Sequence, residues 1–358
     1  MMRKLLKKFF AAALTVTLVF GMTACSQDNS WAIKSGDETV PIGAYICNLI
    51  MSRQSAMQKA DSSKDLFEQQ IDGKDASAWI KEDAMTNTKA IIFLDNKMKE
   101  LNLSISEEEQ TQIESITNSN WTQLETLFEQ HGVSKESYKL AYTEQSVKMN
   151  KVFNAIYGKD GTQAVSDSEI QDFFNQHYTN FEYIIVPLFD VNQSSEGAET
   201  ALSDDDIAAA KKEFDDYAAK INSGSMTMAE AVEAFKNSDY SVTEDDILQN
   251  VTVDFEEQSA SYPAEFIEML NGMKADEAKT IQLSMSSGDV YALAVKRDIA
   301  KAAGEYLGSE SNRSSVLGSM KYEEFMNTLK EETAKLEVTL NDSAIKKYEP
   351  SSMFKSSN

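Results

Sequence analysis

Side chains able to do chemistry are few in this chain, and the shortage itself narrows the choice. Its 358 residues include two histidines, His131 and His177, and two cysteines, Cys25 and Cys47. No cluster of His, Cys and carboxylates has metal-ligand spacing, so no metal is expected. There is no GxSxG elbow, no glycine-rich phosphate loop and no nucleophile beside a plausible base. Hydrolase and nucleotide chemistries therefore have no visible parts, and no cofactor is expected. The acidic runs Asp204-Asp205-Asp206 and Glu244-Asp245-Asp246 lack calcium-loop spacing and read as helix caps or a solvated face. Cys47 sits in an apolar helical stretch and reads as a buried, inert thiol.

Cys25 is different, because of what precedes it. Arg3, Lys4, Lys7 and Lys8 form a cationic start, and residues 9–20 add about a dozen mostly apolar side chains, too few to span roughly 30 Å of hydrocarbon. That pattern reads as a removed export signal. The Met22-Thr23-Ala24-Cys25 run resembles the lipobox of bacterial lipoproteins, which implies that Cys25 receives lipid and becomes the mature N-terminus. The alternative is an ordinary signal peptide with a chance cysteine. Loss of residues 1–24 removes four cations and takes the formal charge from −24 to −28. Such an acidic chain is repelled by nucleic acid, which is excluded as a partner. With Cys47 the one other thiol, no intramolecular disulfide is available.

The elements around these residues fall into three stretches. Residues 26–30 read as a polar tether and 31–40 as a strand with a Gly36-Asp37 turn, leading to Pro41 at a helix start. Ile42, Tyr45, Ile46, Leu49 and Ile50 then mark one helical face. A long helix is predicted over 77–101. Ser106 with Glu109, and Ser166 with Glu169, are capping-box pairs. Further helices are expected at 121–131 and from Ser134 to the Gly158 stop. The character changes at 181–186, Phe-Glu-Tyr-Ile-Ile-Val, a buried strand bounded by Pro187. Helices are predicted at 204–222, 228–235 and 263–270, strands at 280–283 and 290–296, with an acidic, poorly periodic stretch through Gln258 between them. After Arg297 the chain returns to helix, then a strand-like 337–340 and a terminal helix. The expected fold is α+β: a helical domain over 31–180, completed by 298–358, with a smaller α+β domain inserted at 181–297.

This order of parts resembles the PrsA-type foldase lipoproteins and the SurA-type exported chaperones over essentially the whole mature chain. Lys34-Ser35-Gly36-Asp37-Glu38-Thr39-Val40 looks like their opening hairpin. Leu103-Ser104-Ile105-Ser106-Glu107-Glu108 and Gly132-Val133-Ser134-Lys135-Glu136-Ser137-Tyr138 are similar to stretches of their helical chaperone domain. Val165-Ser166-Asp167-Ser168-Glu169-Ile170, with Phe173-Phe174 and Phe181, resembles the link into their parvulin domain. Lys335-Leu336-Glu337-Val338-Thr339-Leu340-Asn341-Asp342 resembles the closing segment.

Parvulin domains isomerise peptidyl-prolyl bonds, and the resemblance places their signature positions on Tyr183, Asp239, Phe266 and Tyr291. Tyr183 and Tyr291 stand where the two histidines should be, Ser238-Asp239 has no glycine pair after it, and Asp276 replaces a turn glycine. Phe266 matches the helix phenylalanine. Isomerisation crosses about 18–20 kcal/mol without covalent chemistry, so a site need only hold the twisted amide better than the planar one. Two His→Tyr changes keep aromatic bulk but alter the hydrogen-bond network, so no catalytic residue is assigned, and Tyr183, Phe266 and Tyr291 are expected to contact peptide or to pack. The function implied is a lipid-anchored folding factor on the outer face of a bacterial membrane. It would bind unfolded exported polypeptide chiefly through the helical domain, with weak or no prolyl isomerase activity. An active isomerase is the alternative. A solute-binding lipoprotein would need repeated strand-helix units in two lobes, and the long helical opening argues against it.

Overall fold

The computed structural model describes residues 30–189, 202–238, 240, 243, 246–258, 261–285 and 288–354. Cys25, the expected export signal and tether before Ser30, Asp239 and Glu244-Asp245 lie outside the described residues. The chain divides into two compact units, one drawn from Met1–Val152 and Lys330–Asn358, the other formed by Phe153–Leu329. Both are rich in helix and carry small antiparallel sheets, an α+β composition.

In the first unit, β1 (Trp31–Ser35) lies between β2 (Glu38–Pro41) and a strand from the far end of the chain, Thr339–Leu340, which pairs Ile33 with Leu340. Gly36, at φ +56°, makes the β1–β2 turn that a Cβ would strain. The helix Ile42–Lys59 starts directly after Pro41 and packs on Ala76–Glu100 through Ile46 and Leu49. Two polar pairs cross that apolar seam: Asn48 Nδ2 donates to Thr88 Oγ1 at 3.0 Å, and Ser52 Oγ to Asp83 Oδ2 at 2.6 Å. A short hairpin of β3 (Gln70–Ile71) and β4 (Lys74–Asp75) turns on Asp72-Gly73, both at positive φ, the Asp-Gly signal of a two-residue turn.

The helix expected over 121–131 instead begins at Glu107 and runs unbroken over Glu107–Glu129, since no Gly or Pro interrupts 117–121. Ser106 and Glu109 cap it reciprocally. The next helical stretch, from Lys135, contains a π turn at Lys139–Thr143 before continuing over Glu144–Tyr157.

The second unit is built on a four-stranded antiparallel sheet. β5 (Tyr178–Pro187) and β8 (Gly288–Arg297) are central, β6 (Ile247–Asp254) and β7 (Ala278–Met285) lie at the edges, and β9 is the Thr339–Leu340 strand of the first unit. β5 begins at Tyr178, three residues before the expected strand, directly after the helix Asp167–His177. β6 occupies the stretch that shows no periodicity, because a bulge at Asn250 breaks the alternation on which a strand is recognised. The helices Asp204–Asn222 and Met228–Lys236 cover one face of the sheet, burying Phe214, Phe235, Ile184 and Leu293. Phe255 and the helix Ala264–Asn271 cover the other.

The division between units falls near 152 and 329, whereas the pattern of elements along the sequence changes near 180 and 297. Stacking explains which helices join the sheet. Phe174 of Asp167–His177 lies 4.9 Å from the Tyr178 ring at the start of β5 and 5.1 Å from Tyr306 of the helix Ile299–Tyr306.

Candidate functional site

An aromatic cluster fills the face of the sheet opposite the long helices. Phe181 and Tyr183, two residues apart on β5, point to this face and meet Phe255, Tyr262 and Phe266. The Phe266 ring stands edge-on to Phe181 at 5.5 Å and to Tyr183 at 5.8 Å, and Tyr262 lies 6.1 Å from it and 5.7 Å from Phe181. Phe266 is held there by local sequence: Pro263 precedes the helix, and Phe266 and Leu270, four apart, form its buried side. At 3% exposure Phe266 is core. Tyr183 and Tyr262 are only half-buried, so they form the accessible part of the cluster, and burial pushes the Tyr262 hydroxyl above its ordinary range. Ile185, Ile267, Met269 and Ile281 extend the same face as partly buried apolar side chains.

Beside Tyr183 the neighbouring strand carries a bulge. Phe181 pairs with Val251 but Tyr183 pairs with Leu248, so β6 carries one extra residue there, with Asn250 at φ +53°. The buried Asn180 holds that bulge: its Nδ2 donates to Thr252 Oγ1 (2.7 Å), Asn250 Oδ1 (3.0 Å) and the Val251 carbonyl (3.2 Å).

Tyr291 is elsewhere. Tyr183 is paired with Ala294 and Tyr291 with Val186, and the odd offset puts the two tyrosines on opposite faces. Tyr291 packs with Phe214 at 6.3 Å. Its hydroxyl donates to Asp215 Oδ1 at 2.8 Å and lies 3.0 Å from Thr280 Oγ1, which itself donates to Asp215 Oδ1 at 2.6 Å. Burial, and then the Asp215 carboxylate, push the Tyr291 hydroxyl above its ordinary range, while the bond to Thr280 works the other way. Of the four parvulin-signature positions, Tyr183 and Phe266 come together, Tyr291 does not join them, and Asp239 lies outside the described residues.

No family model matches this chain, and no curated protein matches it. Among solved structures, the foldase protein PrsA from Streptococcus pneumoniae aligns over 74% of this chain and 88% of its own, at 13% identity and a TM-score of 0.34. A likeness that loose carries no residue assignment and no activity.

Other groups singled out by sequence have structural partners. Asp276 takes φ +61°, the conformation a turn glycine serves, and its carboxylate lies 3.6 Å from Arg297 Nη1 and 3.4 Å from Lys301 Nζ. Asp204, Asp205 and Asp206 form the first turn of their helix, where Ser203 Oγ accepts from the Asp206 N–H. Cys47 is fully buried, and burial pushes its thiol up to about 12, so it is not a nucleophile at neutral pH. His131 is lowered by burial and by Arg53. Among the described residues no group of His, Cys, Asp and Glu is placed to hold a metal, and no helix is long and apolar enough to cross a membrane.

One concave feature has no sequence signature, a cleft of about 970 Å³ whose lining includes Ile170, Ala303, Gly304 and Leu317 and the Asp167–Arg313 ion pair (2.7 Å). It is assembled from several separate chain stretches, so no local motif announces it.

Proposed function

We propose that this chain is an extracytoplasmic folding factor, lipid-anchored through Cys25, that binds unfolded exported polypeptide without efficient prolyl isomerisation. The observation that carries this reading is the partly open aromatic face of Tyr183 and Tyr262 over the buried Phe266. Aromatic rings bury large areas at little entropic cost and accept apolar segments of varied sequence. The lipobox resemblance supplies the address. An anchored binder meets chains emerging at the membrane at raised effective concentration, so modest affinity suffices.

Catalysis has less support. Stabilising a twisted prolyl amide calls for polar groups aimed at it from around an apolar pocket. Beside Phe266 the directly paired partner of Tyr183 is Ala294, and the Tyr291 hydroxyl is engaged by Asp215 on the other face. Tyr183 and Tyr262 are the hydroxyl-bearing rings next to Phe266.

Two assays on residues 26–358 test this. Suppression of aggregation of an unfolded client is expected at near-stoichiometric protein, and no effect at excess would overturn the binding role. In a protease-coupled assay on a prolyl peptide the rate is expected at background; turnover well above it, lost in Phe266→Ala, would replace the proposal by an active isomerase.

A further inference from the structure

We infer that β7 is a docking edge to which an extended segment of client polypeptide adds as a fifth strand. This rests on the folding-factor reading and specifies how the client is held.

The ladder dictates which backbone groups of β7 face outward. β7 and β8 stay in register from Ala278↔Val295 to Met285↔Gly288 with no shift. In an antiparallel pair, opposed residues alternate between exchanging both hydrogen bonds and directing both groups away. Lys296 exchanges bonds with the β7 side, its N–H to the Glu277 carbonyl at 3.1 Å and its carbonyl from the Asp276 N–H at 2.8 Å. Odd-numbered β7 residues therefore face β8, and Ala278, Thr280, Gln282 and Ser284 face away. Asn222 confirms the phase: its carboxamide takes the place of a fifth strand at Ala278, donating from Nδ2 to the carbonyl at 2.9 Å and accepting the N–H on Oδ1 at 2.8 Å.

Beyond Ala278 that cover stops. Among the described residues no backbone or side-chain partner meets the main-chain N–H and C=O of Thr280, Gln282 and Ser284, and Gln282 and Ser284 are exposed. The opposite edge differs, because β6 is kinked by the Asn250 bulge, a device that blunts strand addition. β7 keeps an unshifted register along its whole length, the form that accepts an added strand.

The geometry favours a polypeptide client over a second copy of this chain. Main-chain groups read only backbone, which suits partners with no common sequence. Side chains of an added strand alternate between faces, so one set would lie beside Ile281 and Leu283 on the aromatic side of the sheet. Two copies would instead bring together chains of formal charge −24, which repel.

The test uses residues 26–358 and a fluorescent peptide of alternating valine and threonine flanked by lysines, with an N-methylated twin of equal charge that has lost its outward donors. The unmodified peptide is expected to bind and to shift the NMR amide signals of Thr280, Gln282 and Ser284, and the twin to bind at least about tenfold more weakly. Gln282→Pro removes an outward N–H without touching the β8 ladder and is expected to weaken binding about tenfold, while Gln282→Ala, which keeps that N–H, binds like the parent. Equal binding of both peptides, or shifts confined to other residues, overturns the docking edge while leaving the folding-factor reading intact. Failure of the parent to hold any unfolded client overturns both. Self-association abolished by Gln282→Pro would assign the edge to a second copy and overturn the client.

Discussion

Tyr183 and Tyr291 lie on opposite faces of one sheet, Tyr183 with Phe266 among aromatic rings and Tyr291 with Asp215 under a helix. Restoring histidine at both positions would therefore not assemble a pair. The double variant Tyr183→His/Tyr291→His is expected to remain at background in the protease-coupled assay, and a marked gain would show that the two side chains do converge.

Core and contact roles separate within the aromatic cluster. Phe266→Ala empties a site with 3% exposure and is expected to cost about 3–5 kcal/mol, seen as a lower denaturation midpoint. Tyr262→Ala and Tyr183→Ala, at half-buried rings, should cost less and instead weaken client binding in the aggregation assay. Equal destabilisation by all three would mean that the face is closed core.

Glu109 should contribute to acid sensitivity. Lys151 and the Ser106 backbone N–H hold its carboxylate, lowering it from an ordinary 4.5 to about 2. A carboxylate depressed on folding contributes stability that is full above its unfolded pKa and lost as pH falls through its folded one. Urea midpoints should therefore drop between about pH 4.5 and 2, with a shallower slope in Glu109→Gln. An unchanged slope would show that Glu109 is not the group titrating.

Asp276 offers a backbone test. At φ +61° a Cβ is strained, so Asp276→Ala keeps the strain and loses the contacts to Arg297 and Lys301, for a cost of up to about 1 kcal/mol. Asp276→Gly relieves the strain while losing the same half-exposed ion pairs, and should stay within about 1 kcal/mol of the parent. The ranking is read from thermal or urea unfolding of the two variants side by side.

What the amino-acid sequence determines by itself is local. Ser106 with Glu109 and Ser166 with Glu169 cap their helices as their spacing predicts, because a capping box closes within four residues. The apolar periods at Ile42–Lys59 and the aromatic run of β5 likewise identify their elements, and Phe266 is legible as the inner side of a short helix. Tertiary structure alone decides what depends on register. Ile33 pairs with Leu340 and Asn341 Nδ2 bonds to the Trp31 carbonyl at 2.9 Å, joining the two ends of the described chain in one sheet. The bulge at Asn250 hides β6, the odd offset between paired residues separates Tyr183 from Tyr291, and the phase set by Lys296 and Asn222 leaves Thr280, Gln282 and Ser284 facing outward. A sheet position has a face and a partner only once strands are paired. A shift of one residue reverses both, and no short-range pattern encodes it.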